Sequence, residues 1–222
     1  MKKICLVGLL SFNAGFIDAA GFIGLQGLFL ANVTGNLVTL AAALVFGNLG
    51  KLGKLIAIPE FICVLVAGRI AGNLLAAHGL PRYRIMMGVM VVFLFAFFIL
   101  AALLGPFPNS DAPAALLTAF AAIAAMAIQN GDQRLHYAGF PMTTMMTGNV
   151  TQATLDAIDL LEGVSGEQRV VVRKRFQRMV SSIASFSAGC AAAAATYYWM
   201  RFWCLSVPVA VGVLIAILTE ED

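Results

Sequence analysis

The stretch RIMMGVMVVFLFAFFILAALL, residues 84–104, contains a single charged residue, Arg84 at its start. Twenty apolar residues in an α-helix are about 30 Å long, which matches the hydrocarbon core of a bilayer. Such a helix is apolar on every side, so it has no polar face to turn toward water. The stretch therefore predicts a transmembrane helix.

The rest of the chain has the same character. Hydrophobic residues make up 61% of the 222 residues and charged residues only 11%, whereas an average soluble domain has about 25% charged residues. Only helices and closed barrels satisfy their backbone groups in lipid, and the alternating ~10-residue segments of a barrel are missing from the sequence. We therefore predict an all-α membrane protein with a single transmembrane domain over residues 1–222. Its spans are expected at 4–29, 55–77, 84–104, 113–133, 178–200 and 202–219.

The first of these spans starts after two lysines, as a secretory signal does. Its apolar run continues from Ile4 to about Ala31, which is far longer than the 7–15 residues of a signal core. We expect it to be retained as a membrane span.

The linker GPFPNSDAP, residues 105–113, separates two similar halves. Each half reaches a Thr-Gly-Asn tripeptide, at residues 34–36 and 147–149, and the two tripeptides are 113 positions apart, about half of the chain. This spacing predicts an internal repeat, with halves at about 1–105 and 112–222.

The segment after each tripeptide is a poor membrane span. Residues 37–47 reach only about 16 Å as a helix. The counterpart in the second half contains Gln152, Asp156 and Asp159, and acids at membrane depth are costly. We therefore expect a short or broken helix at each tripeptide and about six transmembrane helices, arranged as two inverted three-span repeats. In the alternative, both segments cross, which gives eight helices in parallel four-span repeats.

The distribution of lysine and arginine barely separates these two topologies. Six spans place ten of them inside and three outside, and eight spans place nine inside and four outside, with Arg69 left out of both counts as intramembrane. Both arrangements put the N- and C-termini in the cytoplasm. In the six-span arrangement the inner ten are Lys2, Lys3, Arg82, Arg84, Arg134, Arg169, Arg173, Lys174, Arg175 and Arg178, and the outer three are Lys51, Lys54 and Arg201.

Several motifs carry a family resemblance. The segments GFIDA at 15–19 and FLANVTGN at 29–36, together with IQN at 128–130 ahead of Thr147 and Gly148, resemble the YoaK family of bacterial integral membrane proteins. The resemblance extends over nearly the whole chain. It implies about six spans in a bacterial inner membrane and brings no established activity. Arg69, in a glycine-rich span, departs from the family pattern.

Polar residues at membrane depth are candidates for a binding site. Asp18 lies fourteen residues past Ile4, about 21 Å along its helix, where an acid usually faces a cavity or a partner. The tripeptides could start half-helices whose N-terminal dipoles point at a substrate. The predicted substrate-binding residues are Asp18, Asn32, Thr34, Asn36, Arg69, Gln129, Asn130, Thr147 and Asn149.

Structural roles explain the same residues without a ligand. Asp18 could bond to a neighbouring helix, Arg69 could extend to the interface, and Thr or Asn could cap helices. These alternatives remain open at the level of sequence.

We predict a small secondary transporter, in which the binding site lies between the repeats and Asp18 couples transport to protons or cations. The alternative function is a channel lined by the two half-helices. We expect no enzyme activity, cofactor, metal or nucleic-acid partner, because the four cysteines stand singly and no catalytic motif is recognisable. The expected partners are the lipid bilayer and a small-molecule or ion substrate, and a homo-oligomer is left open.

Overall fold

The computed structural model describes residues 2–47 and 50–219, and all regular structure in these ranges is helical. Met1, residues 48–49 and residues 220–222, which include both ends of the predicted domain, lie outside the described residues. The prediction of an all-α protein is therefore confirmed for the described chain. The helices are α1 (Lys2–Gly24), α2 (Gly35–Phe46), α3 (Lys51–Ala77), α4 (Arg82–Leu104), α5 (Pro113–His136), α6 (Met146–Leu161), α7 (Gly166–Met200) and α8 (Ser206–Leu218), with a 3₁₀ turn, Arg201–Leu205, before α8.

Five helical stretches in the described residues are long and apolar enough to cross a membrane. Four of them are α1 from Lys3, α3, α4 and α5, and the fifth is the 53-residue stretch Gly166–Leu218, which comprises α7, the 3₁₀ turn and α8. The predicted spans 178–200 and 202–219 both fall in this fifth stretch. Helix α2 is apolar but has 12 residues, about 18 Å. These lengths and compositions fit a multi-pass membrane protein.

Several helix ends meet at one end of the bundle, which we call the Gln26 end. The Gln26 side chain donates a hydrogen bond to the Pro108 carbonyl oxygen at 2.7 Å, and the backbone carbonyl of Gln26 accepts one from Lys54 Nζ at 3.0 Å. A Cβ on Gly24 or Gly105 would press against the Phe202 ring. Helices α1, α4 and α7 therefore end here, and α3, α5 and α8 begin here. At the opposite end, which we call the Arg82 end, α3 and α5 end and α4 begins.

The closest packing joins α1 and α7, which run side by side in the same direction. A Cβ on Gly15 would overlap the Phe186 carbonyl, and a Cβ on Gly189 would overlap the Phe12 carbonyl. Small residues at such positions let two membrane helices approach until their backbones touch. Helix α1 is thereby fixed against α7 along its length, and this fixes the polar residues that α1 carries.

Asp111, in the linker between the halves, caps the start of α3. Its two carboxylate oxygens accept hydrogen bonds from the backbone N–H groups of Gly50, Lys51, Leu52 and Gly53, at 3.1, 3.1, 2.9 and 3.3 Å. The first N–H groups of a helix have no partner within the helix, and a negative charge is favourable at that end. The linker therefore ties the second half of the chain to a helix of the first half.

Replacing Asp111 tests this connection. We expect Asp111→Ala to lower the free energy of unfolding by about 1–2 kcal/mol, the upper range for a lost helix cap, and Asp111→Asn to cost less because its amide oxygen can still accept. SDS titration of the protein in detergent micelles measures both. Asp159→Ala, which removes an exposed carboxylate from α6, is the control. Equal losses in the Asp111 and Asp159 variants would contradict the capping role.

Candidate functional site

Two segments without helical structure lie within the bundle. The first connecting segment, residues 25–34, joins α1 to α2, and the second connecting segment, residues 137–145, joins α5 to α6. Many of their residues are buried, including Leu25, Leu30, Tyr137 and Thr143. Backbone N–H and C=O groups buried outside a helix must find other partners. Polar side chains from the neighbouring helices provide them.

Asp18 holds the first connecting segment. Its Oδ1 atom accepts hydrogen bonds from the N–H groups of Leu30 at 2.8 Å and Ala31 at 2.6 Å. The Asn32 N–H lies 3.2 Å from Oδ1 and 3.1 Å from Oδ2. Asp18 is only 5% exposed, so this carboxylate compensates for its own burial by satisfying three backbone donors. Its position on α1 is therefore structural, whatever else it does.

Amide side chains of α5 hold the second connecting segment in a similar way. Gln133 Oε1 accepts hydrogen bonds from the Thr143 N–H at 3.1 Å and its hydroxyl at 2.7 Å, while Gln133 Nε2 donates to the Pro141 carbonyl at 2.7 Å. Asn130 Oδ1 accepts a hydrogen bond from the Thr144 hydroxyl at 2.7 Å. Gln133 and Thr144 were not predicted as site residues.

Gln129 connects the same segment to the first half. Its Nε2 atom donates to the Leu10 carbonyl of α1 at 3.0 Å and to the Thr143 hydroxyl at 3.1 Å. This predicted site residue is completely buried, so it serves to join α1, α5 and the second connecting segment.

The asparagines of the two tripeptides make matching contacts. Asn36 Oδ1 accepts a hydrogen bond from the Phe29 N–H, and Asn36 Nδ2 donates to the Phe29 carbonyl, both at 2.8 Å. Asn149 Nδ2 donates to the Met142 carbonyl at 2.7 Å. In each half the partner lies seven residues before the asparagine. Both asparagines are buried, and each stabilises the connecting segment of its own half.

The threonines of the tripeptides do not cap helices as the sequence suggested. Thr34 occupies the N-cap position of α2, but it makes no side-chain cap bond, and its hydroxyl donates to Asn32 Oδ1 at 3.2 Å. Helix α6 begins at Met146, so Thr147 lies inside its first turn. The alternative that these threonines cap helices is therefore wrong, because the Thr34 hydroxyl bonds to Asn32 and α6 starts one residue before the second tripeptide.

The connecting segments border two cavities. The first cavity, of about 430 Å³, and the second cavity, of about 220 Å³, share Asn32 and Thr144. Each is therefore lined by both halves of the chain. The polar lining of the first cavity is Asp18, Asn32, Thr144, Thr147 and Cys190, and that of the second is Asn32, Thr34, Asn130, Arg134 and Thr144.

Five of the nine predicted site residues thus line these cavities: Asp18, Asn32, Thr34, Asn130 and Thr147. Asn36, Asn149 and Gln129 support the connecting segments instead. Arg69 lines a third cavity, of about 250 Å³, nearer the Arg82 end, which shares Leu65, Gly131 and Arg134 with the second cavity. Among the described residues, no group of three or more His, Cys, Asp or Glu side chains could hold a metal ion.

Two acids of interest lie outside these cavities. Asp156 of α6 is buried and bonded to Arg175 of α7, with Arg175 Nη2 at 2.6 Å from Oδ1. The Arg175 guanidinium holds the pKa of the Asp156 carboxyl below its usual value.

Glu60, inside the predicted span 55–77, was not predicted as a site residue. Its Oε1 atom is buried and has no hydrogen-bond partner among the described residues.

Amide hydrogen exchange tests the role of Asp18. We expect Asp18→Ala to accelerate exchange at Leu30, Ala31 and Asn32 by about 10- to 100-fold, since three hydrogen bonds are lost. Asp18→Asn should have a smaller effect because one oxygen remains. Exchange in residues 137–145, measured by mass spectrometry in the same sample, is the internal control. Unchanged exchange at the three amides would show that Asp18 does not hold the segment.

Comparison with known proteins yields one match. The family model described as "Protein of unknown function (DUF1275)" matches residues 6–218, nearly the whole chain. No curated protein and no solved structure matches the chain. The predicted resemblance is confirmed, since YoaK is a member of the matched family. The chain belongs to the DUF1275 family.

Proposed function

We propose that this protein is a secondary transporter for a small molecule, which binds at the first and second cavities. The observation that carries the proposal is that connecting segments from both halves border the same two cavities, through Asn32 and Thr144. Transporters with duplicated halves typically bind substrates where interrupted helices meet between the repeats.

The directions of the helices support two inverted repeats. Helices α1 and α4 run toward the Gln26 end and α3 runs away from it, whereas α5 and α8 run away from it and α7 runs toward it. Helix α2 ends at Phe46, shortly before α3 begins at the Gln26 end, and α6 leads into α7 at the opposite end. In this arrangement α7 crosses once, and the 3₁₀ turn and α8, which together run from Arg201 to Leu218, cross as a further span. This gives six crossings. The alternative of eight crossings would require α2 to span with 12 residues, about 18 Å of a ~30 Å core.

The positive charges support an orientation. The Arg82 end carries Arg82, Arg84 and Arg134 and receives the basic start of α7, whereas the Gln26 end carries Lys51, Lys54 and Arg201. Because cytoplasmic loops are enriched in lysine and arginine, the Arg82 end faces the cytoplasm. The N- and C-termini then also lie in the cytoplasm, and the membrane is the bacterial inner membrane.

The cavity linings favour a small substrate with an apolar part and an electron-rich group. Phe22, Phe29 and Phe186 are among the apolar residues that line the first cavity. Thr34 and Met145, the N-cap residues of α2 and α6, line the second cavity. Helix N-termini carry a partial positive charge, which favours carboxylate or carbonyl oxygens. Asp18 is the acid through which a proton or cation would be coupled.

A channel is the alternative function. The start of α2 and the start of α6 face the same small cavity, and half-helices that meet in this way also line selective pores. A channel would conduct without saturation and would not accumulate substrate against a gradient.

Proteoliposomes with an imposed pH gradient separate these functions. We expect saturable, gradient-driven uptake of at least one radiolabelled probe from a panel of alanine, glutamate, succinate and glucose. Asp18→Asn should reduce gradient-driven accumulation about tenfold or more, since it removes the ionisable group. Asp159→Asn, which changes an exposed acid of α6, should leave accumulation unchanged.

Cys190 reports binding independently of transport, because its side chain lines the first cavity next to Asp18. With Cys5, Cys63 and Cys204 replaced by serine, a bound probe should slow alkylation of Cys190 by N-ethylmaleimide in both the parent and the Asp18→Asn protein. Flux that is linear in concentration would indicate a channel. Full accumulation in Asp18→Asn would assign Asp18 a purely structural role.

A further inference from the structure

The third cavity lies between α3, α4 and α5 toward the Arg82 end, and its lining residues carry a net positive charge. Arg69, Arg82 and Arg134 line it together with one acid, Asp132. The formal charge of these four side chains is +2, from three arginines and one aspartate. The first residue of α4 is Arg82, so the start of that helix adds a further partial positive charge. An anionic group would be favoured here.

The fold makes room for Arg82. A Cβ on Gly72 of α3 would lie 2.6–2.8 Å from three atoms of the Arg82 guanidinium group. Glycine at this position therefore lets the guanidinium lie directly against α3. Arg82 is held at the cavity wall, with only 14% of its side chain exposed.

The Arg82–Asp132 pair leaves hydrogen-bonding capacity unused. Arg82 Nη2 lies 3.4 Å from Asp132 Oδ1, which is long for a charge-assisted bond of about 2.7–2.9 Å. Arg82 Nε and Asp132 Oδ2 are buried, and neither has a partner among the described residues. Asp132 is 3% exposed. The pair is therefore loose, and Asp132 compensates the charge of Arg82 only in part.

A fourth cavity continues from the basic one. It has a volume of about 530 Å³, lies between α3 and α4, and shares Val64, Gly68, Met86 and Ile128 with the third cavity. Apart from His78, its lining is apolar and includes Val89 and Phe93. The two cavities therefore form one groove with a basic head and an apolar tail.

We propose that this groove binds one anionic phospholipid of the surrounding membrane, with a phosphatidylglycerol-type headgroup in the third cavity and an acyl chain in the fourth. The charge of the head and the apolar continuation select this occupant, since basic pockets between transmembrane helices bind anionic headgroups. The lipid phosphate contacts the arginines that line the third cavity. The site adjoins the second cavity, with which it shares Leu65, Gly131 and Arg134, but the lipid proposal does not rest on the proposed transport function.

Native mass spectrometry of the detergent-solubilised protein tests the headgroup site. Titration with phosphatidylglycerol should give a bound lipid with a measurable apparent Kd. The apparent Kd for phosphatidylcholine should be higher by a factor of about ten or more. The double variant Arg69→Gln and Arg134→Gln should weaken phosphatidylglycerol binding about tenfold, while the Arg82–Asp132 pair stays intact. Arg173→Gln with Lys174→Gln removes the same charge from exposed positions of α7 and should leave the Kd unchanged.

The apolar tail has its own variant and control. Ala71→Phe fills the fourth cavity and should also weaken phosphatidylglycerol binding, whereas Val92→Phe, on an exposed face of α4, should not. Glycerol 1-phosphate, which lacks acyl chains, should not compete with phosphatidylglycerol at equal concentration. Equal affinity for the two lipids would overturn the proposal, and so would an unchanged Kd in the arginine variant. Full competition by glycerol 1-phosphate would also overturn it, because this result would indicate a site for free phosphate compounds.

Discussion

The need to bond every backbone group in an apolar interior is the constraint on which the rest of this structure depends. Residues 25–34 and 137–145 leave the helical conformation inside the bundle, so their N–H and C=O groups lose the partners that a helix provides. A buried group without a partner costs about 1–3 kcal/mol. Asp18, Asn36, Gln133 and Asn149 prevent this cost by bonding backbone groups of the two segments. Gln129 and Asn130 bond the hydroxyls of Thr143 and Thr144 instead.

The same requirement explains why polar groups lie beside the two shared cavities. A side chain that holds a connecting segment also borders the space next to that segment, as Asp18 and Asn130 do. Structural support and a binding surface therefore come from the same residues. Substitution of Asp18 will alter both the segment and the cavity, which is why exchange at Leu30–Asn32 and uptake must be measured separately.

Composition and spacing were enough to predict the helical fold and much of the candidate site. The apolar runs predicted the long helices, and the 113-residue spacing of the tripeptides pointed to Asn36 and Asn149, whose contacts match in the two halves. The short helix at the first tripeptide followed from length alone, because few apolar residues follow Asn36.

The remaining contacts depend on tertiary packing, which periodicity does not encode. The carboxylate of Asp111 accepts hydrogen bonds from N–H groups that lie some 60 residues earlier in the chain. Nothing in the sequence of the linker indicates these partners. Gln133 and Thr144 stand in polar stretches where many side chains could have faced water. Arg69 could be placed at membrane depth, but the cavity it shares with Arg82 depends on how closely α3 and α4 approach at Gly72.

The central claim is that the two halves have opposite orientations in the membrane, so that their connecting segments meet. Single cysteines at Asn109, between α4 and α5, and at Ser165, between α6 and α7, test it in a cysteine-free background, because both positions are exposed. A membrane-impermeant maleimide applied to intact cells should label the Asn109→Cys protein and spare the Ser165→Cys protein, and inverted membrane vesicles should give the reverse. Labelling of both positions from the same side would contradict the inverted arrangement and would favour eight crossings in parallel repeats.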